Sequence, residues 1–304
     1  MDLRQEQFKH IGINEEKSQQ IIRPSMTYWQ DAWRRLKKNP VAMISLFLIV
    51  IFAIMSFVGP MLTPYDYFTN DLMNGDKTPS MKHWFGTDGL GRDLWERVWA
   101  GAKISLFIGV VTAFVSGVVG TLVGGVSGFF GGKLDMFIMR AIDVLIALPS
   151  LIITLLIMLY LGSGLVPIII ALAITGWLGL ARLVRGQVLA LKEQEFVLAA
   201  RTLGASSSRL ILKHLIPNTL GVIIVSLTFA IPAAIFSEAF LSFIGLGIQP
   251  PQTSWGQLAS LGIAAMQSYP YQLIIPSIFI SLTMLSLQLL GDGLRDALDP
   301  RLRK

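Results

Sequence analysis

Glu238 is the only charged side chain between Leu215 and Gly291. An ionisable group set in so much apolar sequence is expensive at bilayer depth, so it faces a helix-bundle interior or a water-filled path. Two roles are open to it. It could belong to a permeation path or gate, with Ser242 one turn on, or it could be a structural hydrogen-bond acceptor near the outer interface. Arg140 and Asp143 are three residues apart and can pair on one helix face, which would make them an anchor at the inner interface.

Catalytic constellations are missing. Gly131-Gly132-Lys133 suggests a phosphate loop, but that pattern needs Gly at 127 and Ser or Thr at 134; the chain has Ser127 and Leu134. Gly125-Val126-Ser127-Gly128 matches the G-x-S-G of intramembrane serine proteases. A serine nucleophile needs a base within hydrogen-bond reach, yet no later span contains a His, and His214 sits at a helix entrance. His10, His83 and His214 have no metal-ligand spacing, and there is no Cys. No catalytic, cofactor-binding or metal-binding residue is expected in this chain. Gly120, Gly124, Gly128 and Gly132 recur every four residues, a smooth ridge against which another helix backbone can approach closely.

The densest pattern is the basic stretch 182–218. Phe196, Ala199, Ala200 and Leu203 fall on one face of a short helix that begins near Glu195, with Arg201 off that face. Gly204 can end this helix in a left-handed turn, followed by Ala205. Ser206 or Ser207 can cap a new helix, and Pro217 sits near the start of the fifth membrane helix, where a missing N–H matters least. The product is two short helices at an angle. Spacing alone leaves open whether they dock a partner or merely cover lipid.

The elements around these residues are membrane helices. The 304 residues are 53% hydrophobic and 14% charged, with a mean hydropathy of +0.61; soluble domains carry about 25% charged residues. Uncharged runs cover Val41–Gly59, Ile104–Phe130, Val144–Ala181, Leu215–Ser237 and Ala239–Gly291. About 20 apolar residues cross a bilayer. Gly162-Ser163-Gly164 with Pro167 divides the third run, and Pro250-Pro251 with the polar residues after it divides the last. The expectation is an all-α polytopic protein with six transmembrane helices and no cleavable signal peptide.

Lys and Arg number eight in residues 1–40, two in 133–140, six in 182–213 and four in 295–304, and none lies in 162–164 or 248–271. The positive-inside rule puts both termini and the 182–214 loop in the cytoplasm. Segment 60–103 is mixed, with five basic and six acidic residues. Topology thus accounts for much of the net charge of +6 and removes the main support for nucleic-acid binding.

Stretch 195–217 resembles the cytoplasmic EAA loop of type I ABC-importer permeases: E-A-A, three residues, Gly, nine residues, then I-x-L-P. Ala199, Ala200, Gly204 and Pro217 match; Leu198 replaces the first Glu, and His214 and Ile216 occupy the I-x-L positions. Glu195 matches the acidic start of the peptide-class version. His83–Asp93 with Gly101–Leu106, Arg140–Asp143 with Pro149, Ser237–Pro251 with Ser254-Trp255-Gly256, and Gly291–Arg301 resemble the "C" permease of dipeptide and oligopeptide importers over about residues 25–304. The resemblance implies a heterodimer with a homologous permease, two ATPase subunits holding ATP and Mg, an extracytoplasmic peptide-binding protein, and a place in the bacterial cytoplasmic membrane. The EAA loop (Glu195, Phe196, Ala199, Ala200, Arg201, Leu203, Gly204, Ala205 and Pro217) would couple to an ATPase. A nickel or metallophore importer shares this permease type. An ion-coupled secondary transporter would need inverted repeats or several deep acids, and neither is visible.

The expected layout is a cytoplasmic tail over 1–39, a first transmembrane helix over 40–62, an extracytoplasmic segment over 63–103, a core permease domain over 104–292 holding five helices and coupling loop 187–217, and a cytoplasmic tail over 293–304. Because the sequence has no Cys, Ser80→Cys and Ser207→Cys are clean reporters of orientation. They should react with impermeant reagent from opposite sides of the membrane; labelling of Ser207→Cys from outside intact cells would reverse the assignment.

Overall fold

The computed structural model describes residues 27–299. Most of the tail expected over 1–39, and the last five residues of the one expected over 293–304, lie outside the described residues. Eleven α-helices carry the architecture: α1 Tyr28–Lys38, α2 Pro40–Val58, α3 Leu94–Phe130, α4 Gly132–Ala147, α5 Ser150–Leu161, α6 Leu165–Gly176, α7 Leu178–Leu191, α8 Glu195–Thr202, α9 Ile216–Phe243, α10 Trp255–Ala265 and α11 Tyr271–Leu298. Among the described residues there is no strand, only an isolated bridge between Thr87 and Asp93. The all-α, multi-pass architecture read from the sequence is the one the chain adopts.

Five helical stretches are long and apolar enough to cross a membrane: Pro40–Met61, Leu94–Phe130, Leu165–Leu191, Ser207–Phe243 and Tyr271–Leu298. The third expected span is not straight. It is the pair α4 and α5, bent by 85°, and it makes a sixth span if the pair crosses as one. Pro149 explains the bend: the residue before a proline is pushed out of the α region, and Leu148 is extended (φ −83°, ψ 135°).

Helix α3 is the spine. Its 37 residues reach roughly 55 Å at 1.5 Å per residue, and it begins at Leu94, ten residues before the uncharged run that starts at Ile104. Its first turns therefore belong to what the sequence suggested was the water-side segment. Asp93 caps the helix by accepting from the Glu96 N–H (3.1 Å). The two charges in its first turn are absorbed by tertiary contacts. Thr63 donates to Glu96, and Arg97 lies 3.5 Å from Asp88.

Glycines set the approach of α3 to α7. A Cβ on Gly120 would lie 2.9 Å from the Trp177 carbonyl oxygen, one on Gly128 would lie 2.9 Å from the Arg185 carbonyl oxygen, and one on Gly124 would run into the Ala181 carbonyl. The ridge expected from the four-residue repeat thus ends at Gly128. Gly132 is the first residue of α4, has φ +57°, and touches nothing with the space its Cβ would fill.

The two ends of the bundle differ. At one, the cap end, residues 59–93 fold over the start of α3. Trp95 donates to the Gly59 carbonyl (2.9 Å), and the Tyr271 hydroxyl bridges the carbonyls of Lys77 (2.9 Å) and Thr87 (3.0 Å). Phe52, Trp99, Trp255 and Phe279 form an aromatic cluster beneath. At the other, the loop end, α1 is fixed to the last turn of α11 by the Tyr28 hydroxyl donating to the Leu298 carbonyl (3.0 Å).

Gly124→Val should break the α3–α7 contact, because overpacking of this kind typically costs about 1–3 kcal/mol. Gly186→Ala, where the added Cβ meets nothing among the described residues within 4 Å, is the matched control. The thermal midpoint of purified protein should fall for Gly124→Val and hold for Gly186→Ala; equal midpoints would remove the close approach from the account of the fold.

Candidate functional site

Helix α8 follows α7 after a short connection and places Glu195 in its first turn and Arg201 in its last, the arrangement a helix dipole favours. Its end is a Schellman turn: Ala205 N–H bonds the Ala200 carbonyl (3.1 Å) and Gly204 N–H bonds the Arg201 carbonyl (3.0 Å). Gly204 has φ +83°, as the sequence reading expected. Ser206 then caps the next helical run by accepting from Arg209 N–H (3.4 Å). That run opens with the α-helical residues Ser207–Arg209 and continues as a π-helical stretch, Leu210–Leu215. Pro217, exposed just beyond it, has no N–H and its ring would crowd the carbonyl four residues back; the wider π turn makes room.

The faces of α8 differ from expectation in one respect. Val197 is 2% exposed and joins Val188, Leu210, Ile211 and Leu215 in a buried cluster, with Ala200 and Ala205 packed against it. Ala200 therefore turns inward, away from Phe196, Ala199 and Leu203. A position four residues from Phe196 looks in-phase, but the deciding side chain is Val197, and Ala200 follows it at i+3. The outward face holds Phe196, Ala199 and Leu203, the last 88% exposed.

The expected pair Arg140–Asp143 does not form. Asp143 pairs with Arg182 of α7, because α7 lies across α4 and presents its arginine to the acid. One cluster went unrecognised in the sequence. Asp135 accepts two hydrogen bonds from Arg185 (2.5 Å each) and one from Ser127 (2.5 Å), while Lys192 caps the Gly128 carbonyl (3.2 Å). The available signal was two acids on α4 facing two arginines on α7 in reversed chain order, the pattern of antiparallel neighbours. These ion pairs fix α7 immediately before it leads to α8.

Glu238 lies toward the cap end and is 0% exposed. Its carboxylate accepts from Ser105 of α3 (3.2 Å), Ser242 one turn on (2.8 Å) and Ser254 (2.6 Å). Ser105 Oγ accepts from the Trp255 N–H (3.1 Å) and Ser254 Oγ from the Gln257 N–H (3.1 Å). Those hydroxyls thus hold their own hydrogens for Glu238. One carboxylate joins α3, α9 and the start of α10. Of the two roles open to Glu238, this is the geometry of a structural acceptor, with Ser242 among its donors. Both are enclosed, whereas Ala233 and Ser237 on the same helix line a cavity. Helix α8 and Glu238 sit toward opposite ends of the bundle. Among the described residues no His, Cys, Asp or Glu cluster could hold a metal ion.

Apolar helices joined by buried polar junctions, with a surface helix whose apolar side nothing among the described residues covers, define a polytopic membrane protein. Residues 120–304 match the model of the binding-protein-dependent transport system inner membrane component. Residues 27–79 match that of the N-terminal TM domain of oligopeptide transport permease C. The oligopeptide transport system permease protein OppC of Bacillus subtilis (strain 168) is 49% identical over 297 residues, 98% of this chain and 97% of its own. The dipeptide transport system permease protein DppC of the same strain is 50% identical over 296 residues, 96% and 92%. The glutathione transport system permease protein GsiD of Salmonella typhimurium is 44% identical over 288 residues, 93% and 94%. The chain belongs to the binding-protein-dependent inner membrane component family, the permease subunits of ABC transporters.

Glu238→Ala removes the acceptor of three hydroxyls, and a buried group left unsatisfied costs about 1–3 kcal/mol. Glu238→Gln keeps the shape but loses one acceptor oxygen. The thermal midpoint should fall in the order wild type, Gln, Ala. A Gln variant as stable as wild type but dead in transport would return this residue to the path.

Proposed function

We propose that this chain is one of two pore-forming subunits of an ATP-driven importer that moves oligopeptides or dipeptides across the cytoplasmic membrane of a bacterium. It is a non-catalytic subunit. ATP and Mg are held by two separate ATPase chains, a homologous permease completes the path, and an extracytoplasmic binding protein delivers the peptide. Both termini and α8 face the cytoplasm in this reading, and residues 59–93 face outward.

The observation that carries the reading is the outward side of α8. Phe196, Ala199 and Leu203 lie on a helix whose end is held by a left-handed glycine and whose inner side is anchored by Val197. An exposed apolar patch on an ordered helix is a docking feature, and an ATPase groove suits it. ATP-driven closure of the ATPases then favours whichever permease state binds the closed pair more tightly, as linkage requires. The Asp135–Arg185 and Asp143–Arg182 pairs would carry movement of α8 into α4 as well as α7. The peptide assignment draws on the relatives named above, which are oligopeptide, dipeptide and glutathione permeases.

Gly204→Val places a β-branched residue at φ +83°, a conformation such residues avoid. The added Cβ meets nothing among the described residues within 4 Å, so insertion should be normal. Uptake of labelled tripeptide by a deletion strain carrying the variant should drop at least roughly tenfold, about 1.4 kcal/mol of coupling, together with stimulation of ATP hydrolysis. Wild-type uptake would remove α8 as the dock. Uptake of nickel instead of di-, tri- or pentapeptides by the unmodified system would overturn the substrate.

A further inference from the structure

Helix α1 ends where the first span begins. Helix α2 has 19 residues, roughly 28 Å at 1.5 Å per residue, which matches a hydrocarbon core of about 30 Å. Pro40 at its start therefore stands at the hydrocarbon boundary, and Lys37 and Lys38 just before it stand at headgroup level. Asn39 between the two helices is extended (φ −93°, ψ 101°), and its side chain accepts from the Ala42 N–H (3.1 Å) to start α2. The break frees α1 from the axis of α2.

One side of α1 is held by the bundle. Ala32 and Leu36 are buried, and Leu36 packs in a cluster with Ala42, Leu290 and Ala297. Gly293 of α11 makes room for it: a Cβ there would lie 3.4 Å from Leu36 Cδ1 and run into Ala42. Tyr28 donates to the Leu298 carbonyl (3.0 Å); Arg35 donates to the Asp299 carbonyl (3.5 Å) and pairs with Asp31 (2.7 Å). These contacts fix which side faces out. That side holds Trp29 and Trp33, 49% and 45% exposed, beside Gln30, Arg34, Lys37 and Lys38. Trp29, Trp33 and Lys37 are four apart, as are Gln30, Arg34 and Lys38, so they form two adjacent rows. The face has three cations and no acid, since Asp31, the one acid of α1, is on Arg35. Lys37 Nζ lies 5.2 Å from the centre of the Trp33 ring.

We propose that the outward side of α1 binds anionic phospholipid headgroups in the leaflet at the loop end, and that the bound lipid seats the end of α11 through the Tyr28 and Arg35 clasps. The leaflet is the cytoplasmic one under the orientation proposed above. Tryptophans and cations on one exposed face are the composition of a helix lying in the interface plane. Indole rings settle at headgroup depth, and an anionic leaflet attracts each cation near it. An acidic protein would answer the charges as well. The level of this face, beside the first residues of a span, gives lipid the nearer approach. Because both clasps sit on α1, lipid that holds the helix in the interface also holds the last turn of α11.

The test uses the complete importer in nanodiscs of phosphatidylcholine mixed with phosphatidylglycerol. A photoreactive phosphatidylglycerol should mark α1 in preference to its phosphatidylcholine counterpart. Arg34→Gln, Lys37→Gln and Lys38→Gln together should cut that preference about tenfold or more, since each cation beside an anionic leaflet contributes roughly fivefold. Arg34→Lys with Lys37→Arg and Lys38→Arg keeps the charge and should keep the preference. Equal marking by both lipids in the wild type, or a preference that survives the neutral variant, overturns the lipid site. The seating of α11 has its own readout. Replacing pure phosphatidylcholine by the mixture should raise the thermal midpoint of the wild type and leave that of the neutral variant where it was. Equal shifts in both place the anionic lipid elsewhere and overturn the seating. Loss of an ATPase from the neutral variant with lipid marking unchanged would make this face a protein dock and overturn the proposal. Marking does not depend on which leaflet is cytoplasmic, so labelling of Ser207→Cys from outside would reverse the orientation and leave the lipid site standing.

Discussion

Helix α3 touches α7 backbone to backbone because three glycines in successive turns present no side chain. In a bilayer there is no hydrophobic gain from bringing two apolar helices together, so close van der Waals approach must supply the association. That contact fixes the rest of the molecule. α7 leads to the exposed surface helix, and α3 carries the serine that binds Glu238. The bundle is organised around a spine to which the loop end and the cap end are each attached by polar clasps.

Those clasps follow one rule, that charge away from water is matched by donors or by opposite charge. Asp135 meets a guanidinium and a hydroxyl, and Glu238 meets three hydroxyls. The two solutions differ in what they permit. An arginine fork is directional and holds two helices in one orientation. Three serines around a carboxylate hold three segments at one point.

Much of this was legible in the sequence, and the misses have physical causes. Uncharged runs located the spans, since lipid excludes charge wherever a helix lacks protein cover. The same reasoning placed the start of α3 too late, because Glu96 and Arg97 are covered by protein. The left-handed turn at Gly204 was readable because few other residues accept that conformation. The ridge at 120, 124 and 128 was readable from its period, but its end was not, since Gly132 keeps the period while the chain turns. Glu238 was visible as an oddity; its partners were not, because serine is common and carries no spacing signature. Asp143 found Arg182 rather than Arg140 because a tertiary neighbour offered the better geometry, which one-dimensional spacing cannot rank.

The outward face of α8 has a consequence for how the subunit is made. With the ATPase seated as proposed, Phe196 and Leu203 are covered; before it arrives they stand in water. Uncovered apolar surface is what chaperones and proteases act upon in the cell. A copy synthesised ahead of its ATPase would expose that surface to the same machinery. Subunit abundance would then be matched to partner abundance after translation, by competition between docking and degradation.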